Sequence, residues 1–506
     1  MAKNLIYDVH EKPKFGNMLV FALQQVLAIL AATIAVPTII GLPTQIPAAI
    51  FGAGVGTLVY QLFTKFKSPV FLGSSFAFLS SLGVAVAYGY CGIVLGSVVA
   101  GLVYVVIAIV IRFVGTGWVN KLLPPVIIGP TVALIGLSLA GAAMGDMVKA
   151  NSSAVNGSYN LIGLLCGLVT FITVVICSTQ KKYKMARLIP FIIGICAGYA
   201  LATVFTVIGK LADVDYFMII NWDPIVNNFV EADGSFRGFA AFISLPDFAI
   251  VEAIKELVNG HVSLEILTAS KGAGKLIDLG GVAEVIIAFL PVALVVFAEH
   301  IADHKNLSYI IDKDLISDPG LDNTLLGDGV GSIAGTVFGV CPNTTYGESV
   351  GCVAITRNAS VVTITTTAIM CIVLSFISPI MALLQTIPSC VMGGVCLTLY
   401  GFIAVSGLKM FKELDLADNK NLFVVSAILI AGIGGLTLQI PYSIADNGAV
   451  AKTIQVTSIA TALILGIVTN FVLGKIEKSK LGVDPEETEE NGSEVKNPPA
   501  MQETLV

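Results

Sequence analysis

Long apolar runs alternate along the chain with short segments that are charged or rich in proline and glycine. A helix needs about 20 apolar residues to cross the hydrocarbon core of a bilayer, and most of these runs approach that length. The pattern predicts an all-α polytopic membrane protein with fourteen transmembrane helices. The predicted spans are residues 16–41, 45–64, 69–86, 89–114, 122–145, 159–180, 186–209, 282–302, 320–340, 344–359, 361–386, 389–408, 421–436 and 450–473.

The positive charges agree with this topology when both termini are placed in the cytoplasm. Of the 28 lysines and arginines, 21 then lie in cytoplasmic segments, where such residues concentrate near span ends. Five of the others lie in the long outer segment 210–281, and long loops are largely exempt from this rule. We therefore expect a multi-pass protein of the cell membrane (inner or plasma membrane). The outer segment is expected to be a cap or spacer with a helix near 247–258.

Two correspondences between the halves of the chain indicate an internal repeat. Pro124 and Pro388 open the fifth and twelfth spans, and each is followed by a glycine five residues later. The third and tenth spans begin with similar short extended segments, at 69–78 and 340–346, followed by residues that cap helices. Seven spans per half is an odd number, so the halves must be inverted in the membrane. Inverted repeats with broken helices are typical of transporters, and the two short helices would point their N-termini toward one site.

The composition excludes several classes of protein. The chain is 56% hydrophobic and 12% charged, with mean hydropathy +0.89, which no soluble domain resembles. The net charge of −6 indicates no nucleic-acid partner. The nine cysteines are scattered, and no nucleophile–base pair or metal-binding cluster occurs within the predicted spans. We therefore expect neither an enzyme nor a bound cofactor or metal.

Glu348 lies in a small-residue segment between two long apolar spans, with no basic residue nearby before Arg357. A charge at the bilayer centre costs about 2.5–3.5 kcal/mol on insertion scales, so such a residue usually has a function. Asn343, Thr344 and Thr345 favour a helix start beside it. A helix N-terminus next to an acceptor suits a small polar ligand with both carbonyl and N–H groups. The alternative is that Glu348 only caps neighbouring backbone.

The eighth span carries a second group of titratable residues after a wholly apolar stretch. Glu299 and Asp303 are four residues apart and share one helix face, whereas His300 points about 100° away. Carboxylates that share protons suit proton-coupled transport. Alternatively, Glu299 and Asp303 lie in the headgroup zone, and His300 is a hydrogen-bonded packing residue. Phe76 and Tyr400 could contact a planar ring or fill the core.

Motifs along nearly the whole chain resemble the nucleobase–ascorbate transporter family, and within it the bacterial uracil permeases. The motifs are Gly73–Phe78, Gly115–Trp118, Ala298–Ile301, Lys313–Leu315, Asp318–Leu321, Pro342–Glu348, Ala354–Arg357 and Val391–Val395.

The resemblance implies fourteen helices in a core and a gate domain, homodimers, and an elevator-like motion of core against gate. The implied divisions are a cytoplasmic N-terminal tail at 1–15, core domain at 16–114 and 282–386, gate domain at 115–209 and 387–473, the outer insertion at 210–281, and a disordered cytoplasmic tail at 474–506.

The resemblance also implies a substrate site. Glu299 and Glu348 would accept hydrogen bonds from the ring N–H groups of a base. The backbone N–H groups of Phe76 and Gly347 would meet its carbonyls, and Tyr400 would line the gate side. Glutamate at position 348 favours uracil, because purine-type members tend to have glutamine there. Proton coupling would involve Glu299, Asp303 and Glu348, with Asp303 at a position where a well-known uracil member has histidine.

The leading hypothesis is therefore uracil import by proton symport, with sodium as the alternative coupling ion. A permease for xanthine or uric acid is a second version of it. An anion transporter or channel with the same architecture is a competing class, whose site would carry positive charge or helix dipoles rather than acids.

Overall fold

The structure, a computed structural model, describes residues 5–149, 159–183, 186–187, 189–231, 233–444 and 450–480. It is mainly helical, with two antiparallel pairs of short strands. In chain order the elements are α1 (Phe15–Ile39), α2 (Ile46–Phe63), β1 (Leu72–Ser74), α3 (Leu79–Val86), α4 (Gly89–Val114), α5 (Gly117–Leu122), α6 (Pro125–Met147), α7 (Leu161–Thr179), α8 (Pro190–Ala212), α9 (Asp223–Phe229), α10 (Ala249–Asn259), α11 (Leu264–Ala269), α12 (Leu279–Ile311), α13 (Leu321–Phe338), β2 (Asn343–Thr345), α14 (Gly347–Thr356), α15 (Val361–Ser375), α16 (Ser378–Gln385), α17 (Ser389–Lys409), α18 (Asn419–Ile433), β3 (Leu438–Ile444), β4 (Val450–Val456) and α19 (Ser458–Lys480).

Within these ranges, nine helices are long and apolar enough to cross a membrane. Three further predicted spans contain the shorter apolar helices α3, α15 and α18. The remaining two predicted spans correspond to α13 and the ten-residue α14. Much of α13 is buried by other helices, so its glycines and Asp328 need not face lipid. The protein is therefore a multi-pass membrane protein. The predicted span 89–114 is confirmed at both ends by α4.

Several predicted boundaries were wrong. Helix α12 does not end at 302 but continues to Ile311, because Leu307 and Ile311 are buried. The predicted span 361–386 is broken into α15 and α16 ahead of Pro379. The predicted span 450–473 begins with strand β4, so its helix starts only at Ser458. That helix extends to Lys480, beyond the predicted boundary at 473; residues 481–506 of the predicted tail lie outside the described residues.

The segment before α1 is predicted to be a polar tail, and its residues 6–11 pair with the chain between α14 and α15. Main-chain hydrogen bonds join Ile6 N to Arg357 O at 2.7 Å and Val361 N to Val9 O at 3.0 Å. Asp8 forms an ion pair with Lys313 just beyond α12, which lowers the pKa of Asp8. The segment therefore links the ends of the two helices that carry the predicted carboxylates.

The outer segment contains the predicted helix, as α10, and it packs on the N-terminal end of α4. Glu256 of α10 is 3% exposed and accepts hydrogen bonds from Tyr90 N and Ser263 N, both at 2.9 Å. Tyr90 also donates to Glu265 at 2.9 Å, and burial raises the pKa of Glu265. Hydrogen bonds to buried groups of this kind fix the segment against the membrane-spanning helices.

Strands β1 and β2 pair antiparallel in the interior, with Gly73 opposite Thr344. They are held by the helices beside them: Thr57 of α2 bonds Leu72 N at 2.9 Å, and Ser332 of α13 bonds Asn343 N at 3.0 Å. Helices α2 and α13 pack on each other, and small residues allow their backbones to approach closely. A Cβ at Gly52 would lie 2.2 Å from the carbonyl oxygen of Gly335.

Replacing Gly52 with alanine is therefore expected to destabilise the protein by about 1–3 kcal/mol, the usual cost of overpacking. The measurement is the thermal unfolding midpoint in detergent at a fixed scan rate. The control is Gly83→Ala in α3, where an added Cβ meets nothing within 4 Å. Equal midpoints for the two variants would show that the α2–α13 contact is looser than the structure indicates.

Candidate functional site

The two broken segments meet at one place, as the sequence predicted for the third and tenth spans. After β1 the chain turns into a short 3-10 helix, Phe76–Phe78, and then α3. After β2 it turns into α14 at Gly347. Hydrogen bonds from Ser75 N to Pro342 O (2.9 Å) and from Tyr346 N to Phe71 O (3.1 Å) extend the strand pairing to both helix starts. The first N–H groups of a helix have no intrahelical partner, so both starts offer donors to a ligand.

A cavity of about 390 Å³ opens beside these helix starts. Glu299 and Asp303 of α12 and Glu348 of α14 line it, and each of the three is half-buried. Phe76 and Gly347 line it as well, so five of the six predicted site residues surround one space. Other parts of the wall include Val132 of α6 and Leu399, Phe402, Ile403 and Ser406 of α17.

Tyr400 is the sixth predicted site residue, and it lies outside the cavity wall. Its ring is 2% exposed and contacts Phe76 edge-on, with ring centroids 5.3 Å apart and planes at 84°. Phe76 itself is 6% exposed. Tyr400 therefore supports the ring of Phe76 from the α17 side rather than facing the cavity.

Hydrogen bonds fix the position of each carboxylate-bearing element. Thr345 Oγ1 donates to Asp303 Oδ2 at 2.8 Å, which ties β2 to α12. The side chain of Gln25 in α1 donates to Ser349, the residue after Glu348. Tyr346 OH donates to Ser74 O at 3.0 Å, joining the two broken segments. Hydrogen bonds therefore tie the elements that carry the acids to one another, which helps to preorganise the site.

Behind the cavity lies a buried polar network that the sequence analysis did not predict. His300 is fully buried and bonds Asp328 Oδ2 at 2.7 Å and Thr324 Oγ1 at 3.1 Å, so the alternative of a hydrogen-bonded packing histidine is confirmed. His304 bonds Tyr60 OH at 2.8 Å. Asp328 was missed, although a lone acid in a glycine-rich apolar run is the same signal that identified Glu299.

The variant Asp328→Ala is expected to lower stability by about 1–3 kcal/mol, because His300 then loses a buried hydrogen-bond partner. The thermal unfolding midpoint of purified protein measures the effect. The matched control is Asp322→Ala on the same helix, since Asp322 pairs with Arg112 near the surface and such pairs contribute about 0–1 kcal/mol. If both variants unfold at the same temperature, the network does not stabilise the fold.

Acidic side chains outnumber basic ones among the residues that line the cavity. Three carboxylates line the cavity, and Arg187, between α7 and α8, is the one cation that the described residues contribute to the lining. Among the residues that the structure describes, no group of three or more His, Cys, Asp or Glu is arranged to hold a metal ion. The arrangement can accept hydrogen bonds from a flat ligand through its acids and donate to it through two backbone termini.

Comparisons with known proteins place the chain among permeases. A family model described as "Permease family" (Xan_ur_permease) matches residues 16–247 and 273–440. The chain is similar to the uracil permease of Bacillus caldolyticus, with 35% identity over 473 residues, which are 92% of this chain and 94% of that protein. The uracil permease of Escherichia coli K12 is 32% identical over 437 residues, which are 85% of this chain and 88% of that protein.

Solved structures show a shared fold at much lower identity. The transmembrane domain of the cyanobacterial bicarbonate transporter BicA is 13% identical, with a TM-score of 0.52 over 92% of this chain and 100% of that chain. The murine anion transporter Slc26a9 is 12% identical, with a TM-score of 0.55 over 92% of this chain and 69% of that chain. At this identity, the likeness concerns the fold alone.

Proposed function

The chain belongs to the nucleobase–ascorbate transporter family, and on that premise we propose that it imports uracil by proton symport. The single observation that carries the proposal is the cavity in which Glu299 and Glu348 lie beside the starts of two helices. Uracil is a flat ring on which two ring N–H groups alternate with two carbonyl groups. Two carboxylates supply acceptors for the N–H groups, and two helix termini supply donors for the carbonyls.

Each site residue has a distinct role in this proposal. Glu348 and Glu299 accept the ring N–H groups, and the backbone N–H groups of Phe76 and Gly347 bind the carbonyls. The Phe76 ring lies against the base, and Tyr400 acts through its edge-on contact with Phe76. A base that leaves any of these buried polar groups unpaired binds less well, which gives the site its selectivity.

Proton coupling is assigned to Glu299, Asp303 and Glu348. They line one cavity, and Asp303 is reachable from Glu299 across one turn of α12. Carboxylates that share a water-poor space do not all ionise together, so one of them can take up a proton with the substrate and release it on the other side. Sodium is the alternative coupling ion.

The packing of the helices supports an inverted repeat of seven plus seven spans. Pairs of elements that occupy equivalent places in the two halves contact each other: α2 with α13, β1 with β2, and α6 with α17. Both α6 and α17 also begin after an extended proline, Pro124 and Pro388. Such pairing is expected when two inverted halves are related by an axis through the site.

The grouping of the helices supports an elevator-like movement. Helices α1, α2, α4, α12, α13 and α15 pack mainly on one another, as do α6, α7, α8, α17, α18 and α19. The cavity lies between these two groups, and it extends to Ser178, Arg187 and Asn306, near segments to which the charge pattern assigns the cytoplasmic side. Sliding of the first group against the second would carry the cavity across the membrane. A homodimer that holds the second group still completes the proposal.

The test is uptake of radiolabelled uracil into vesicles reconstituted with the purified protein. An inward proton gradient is expected to drive accumulation, and a sodium gradient of the same size is not. Excess unlabelled xanthine is expected to leave uracil uptake unchanged. Strong competition by xanthine would favour the purine version of the proposal, and currents under a chloride or sulfate gradient would favour an anion transporter.

A further inference from the structure

Helix α10 has three chemically different faces, and one of them is left exposed by the residues that the structure describes. Its first face packs on α4 and consists of Ala249, Ala253 and Glu256, all nearly fully buried. A second face carries Glu252 and Lys255, which form an ion pair at 2.6 Å. The third face is apolar and exposed. It consists of Val251 (42%), Ile254 (53%), Leu257 (57%) and Val258 (80%).

These faces lie at separate angles around the helix. At 100° per residue, the centre of the apolar face lies roughly 145° from the centre of the buried face, and the ion pair lies between the apolar and buried faces on one side. One face is therefore packed on protein, one is charged and suits water, and one would expose four large apolar side chains. A soluble environment does not explain the third face, because contiguous apolar patches of this kind mark interaction sites.

The exposed apolar surface of α4 ends where α10 contacts that helix. Leu102, Val106, Ile109 and Phe113 of α4 are exposed by 50%, 58%, 48% and 83%, and their spacing puts them on one stripe. In a membrane protein such a stripe contacts lipid. Cys91 is eleven residues before Leu102, which is about three turns, so it belongs to the same stripe. The Cys91 thiol donates to Ala253 O of α10 at 3.5 Å. Helix α10 therefore crosses the end of the lipid-facing stripe of α4.

We propose that α10 lies in the membrane–water interface, with Val251, Ile254, Leu257 and Val258 against lipid and the Glu252–Lys255 pair toward water. Helices of this type insert their apolar face about 5–10 Å into the boundary between headgroups and acyl chains. Glu256 holds α10 in this orientation through its bonds to Tyr90 N and Ser263 N. The family model leaves residues 248–272 unmatched, so the helix is an addition to the family pattern. The inference does not depend on the transported substrate.

The test places a tryptophan on each face of α10 in full-length protein reconstituted into vesicles. The background carries Trp118→Phe and Trp222→Phe, which removes both native tryptophans. In that background, Val258→Trp is expected to lose most of its emission when the vesicles contain phosphatidylcholine brominated near the glycerol end of its acyl chains. The matched control Lys255→Trp, three residues away on the charged face, is expected to respond to aqueous acrylamide and little to brominated lipid.

Two results would overturn the proposal. Quenching of Val258→Trp by acrylamide and not by brominated lipid would show that the apolar face is in water. Protection of this tryptophan from both quenchers would show that protein covers the face, as in contact with a second copy. Val251→Trp on the same face repeats the measurement if Val258→Trp does not fold. The quenching measurement does not involve uracil uptake. A negative result for the position of α10 would therefore not contradict the proposed transport of uracil, and a negative uptake result would not contradict the position of α10.

Discussion

Replacing Glu348 with glutamine is expected to weaken uracil binding by about a hundredfold, which corresponds to about 2.7 kcal/mol. Glutamine has nearly the same shape, but it replaces a charged acceptor with an amide that can present N–H to the N–H of the base. A hydrogen bond to a charged group contributes about 1.5–3 kcal/mol, and an unpaired donor in the cavity adds a further cost. The rest of α14 is held by the Gln25–Ser349 bond and stays in place.

The measurement is equilibrium binding of labelled uracil to the purified protein. The matched control is Glu284→Gln, because Glu284 is a half-buried glutamate of α12 that accepts from Tyr88 and lies away from the cavity. Both variants are expected to be monodisperse and to unfold near the temperature of the unsubstituted protein. Full affinity in Glu348→Gln would remove this residue from the substrate site.

The local part of this site was predictable from the sequence, because each signal lies in a few consecutive residues. The break at Pro342 predicted an extended piece followed by a helix start beside Glu348, and both are found there. The assignment of Asn343, Thr344 and Thr345 as helix caps was wrong, because they form β2 and α14 begins only at Gly347, after Tyr346. The match between 69–78 and 340–346 predicted that two such breaks face each other, and β1 pairs with β2. Proline and glycine override an apolar pattern locally, so these breaks can be found without knowing the fold.

Contacts between residues far apart in the chain were not predictable. The bond between Tyr60 and His304 joins positions 244 residues apart, and no pattern in either helix indicates the other. The pairing of residues 6–11 with the chain after Arg357 was not predictable for the same reason, since a short polar segment resembles a free tail. Tyr400 was identified by resemblance, but its place behind Phe76 depends on how α17 packs.

The hairpin of β3 and β4 was missed for a different reason. Thr453, Ile454, Gln455 and Val456 alternate between polar and apolar, which is the two-residue period of a strand. The same residues adjoin an apolar run that continues into α19, and the length of that run favoured a helix. The structure ends the strand at Val456 and starts the helix two residues later. The alternation of polar and apolar residues therefore predicts this segment better than its mean hydropathy does.

A second large effect is expected on the coupling of uracil transport to the proton gradient, and not on uracil binding. The variant Asp303→Asn keeps an oxygen that accepts from Thr345 Oγ1, so the link between β2 and α12 is preserved. It cannot take up a proton. We therefore expect uracil affinity to change by less than about threefold, or about 0.6 kcal/mol, while accumulation driven by a proton gradient is lost.

Proteoliposomes measure the two properties separately. For symport of one proton per uracil, a gradient of one pH unit supplies about 1.4 kcal/mol and supports about tenfold accumulation. Asp303→Asn is expected to equilibrate uracil without accumulating it, and to retain exchange of labelled for unlabelled uracil when no gradient is imposed. The control Asp312→Asn alters an acid just beyond the end of α12 that does not line the cavity and is expected to accumulate uracil normally. Tenfold accumulation by Asp303→Asn would assign the proton to Glu299 or Glu348 instead, and accumulation only under a sodium gradient in the unsubstituted protein would replace the proton altogether.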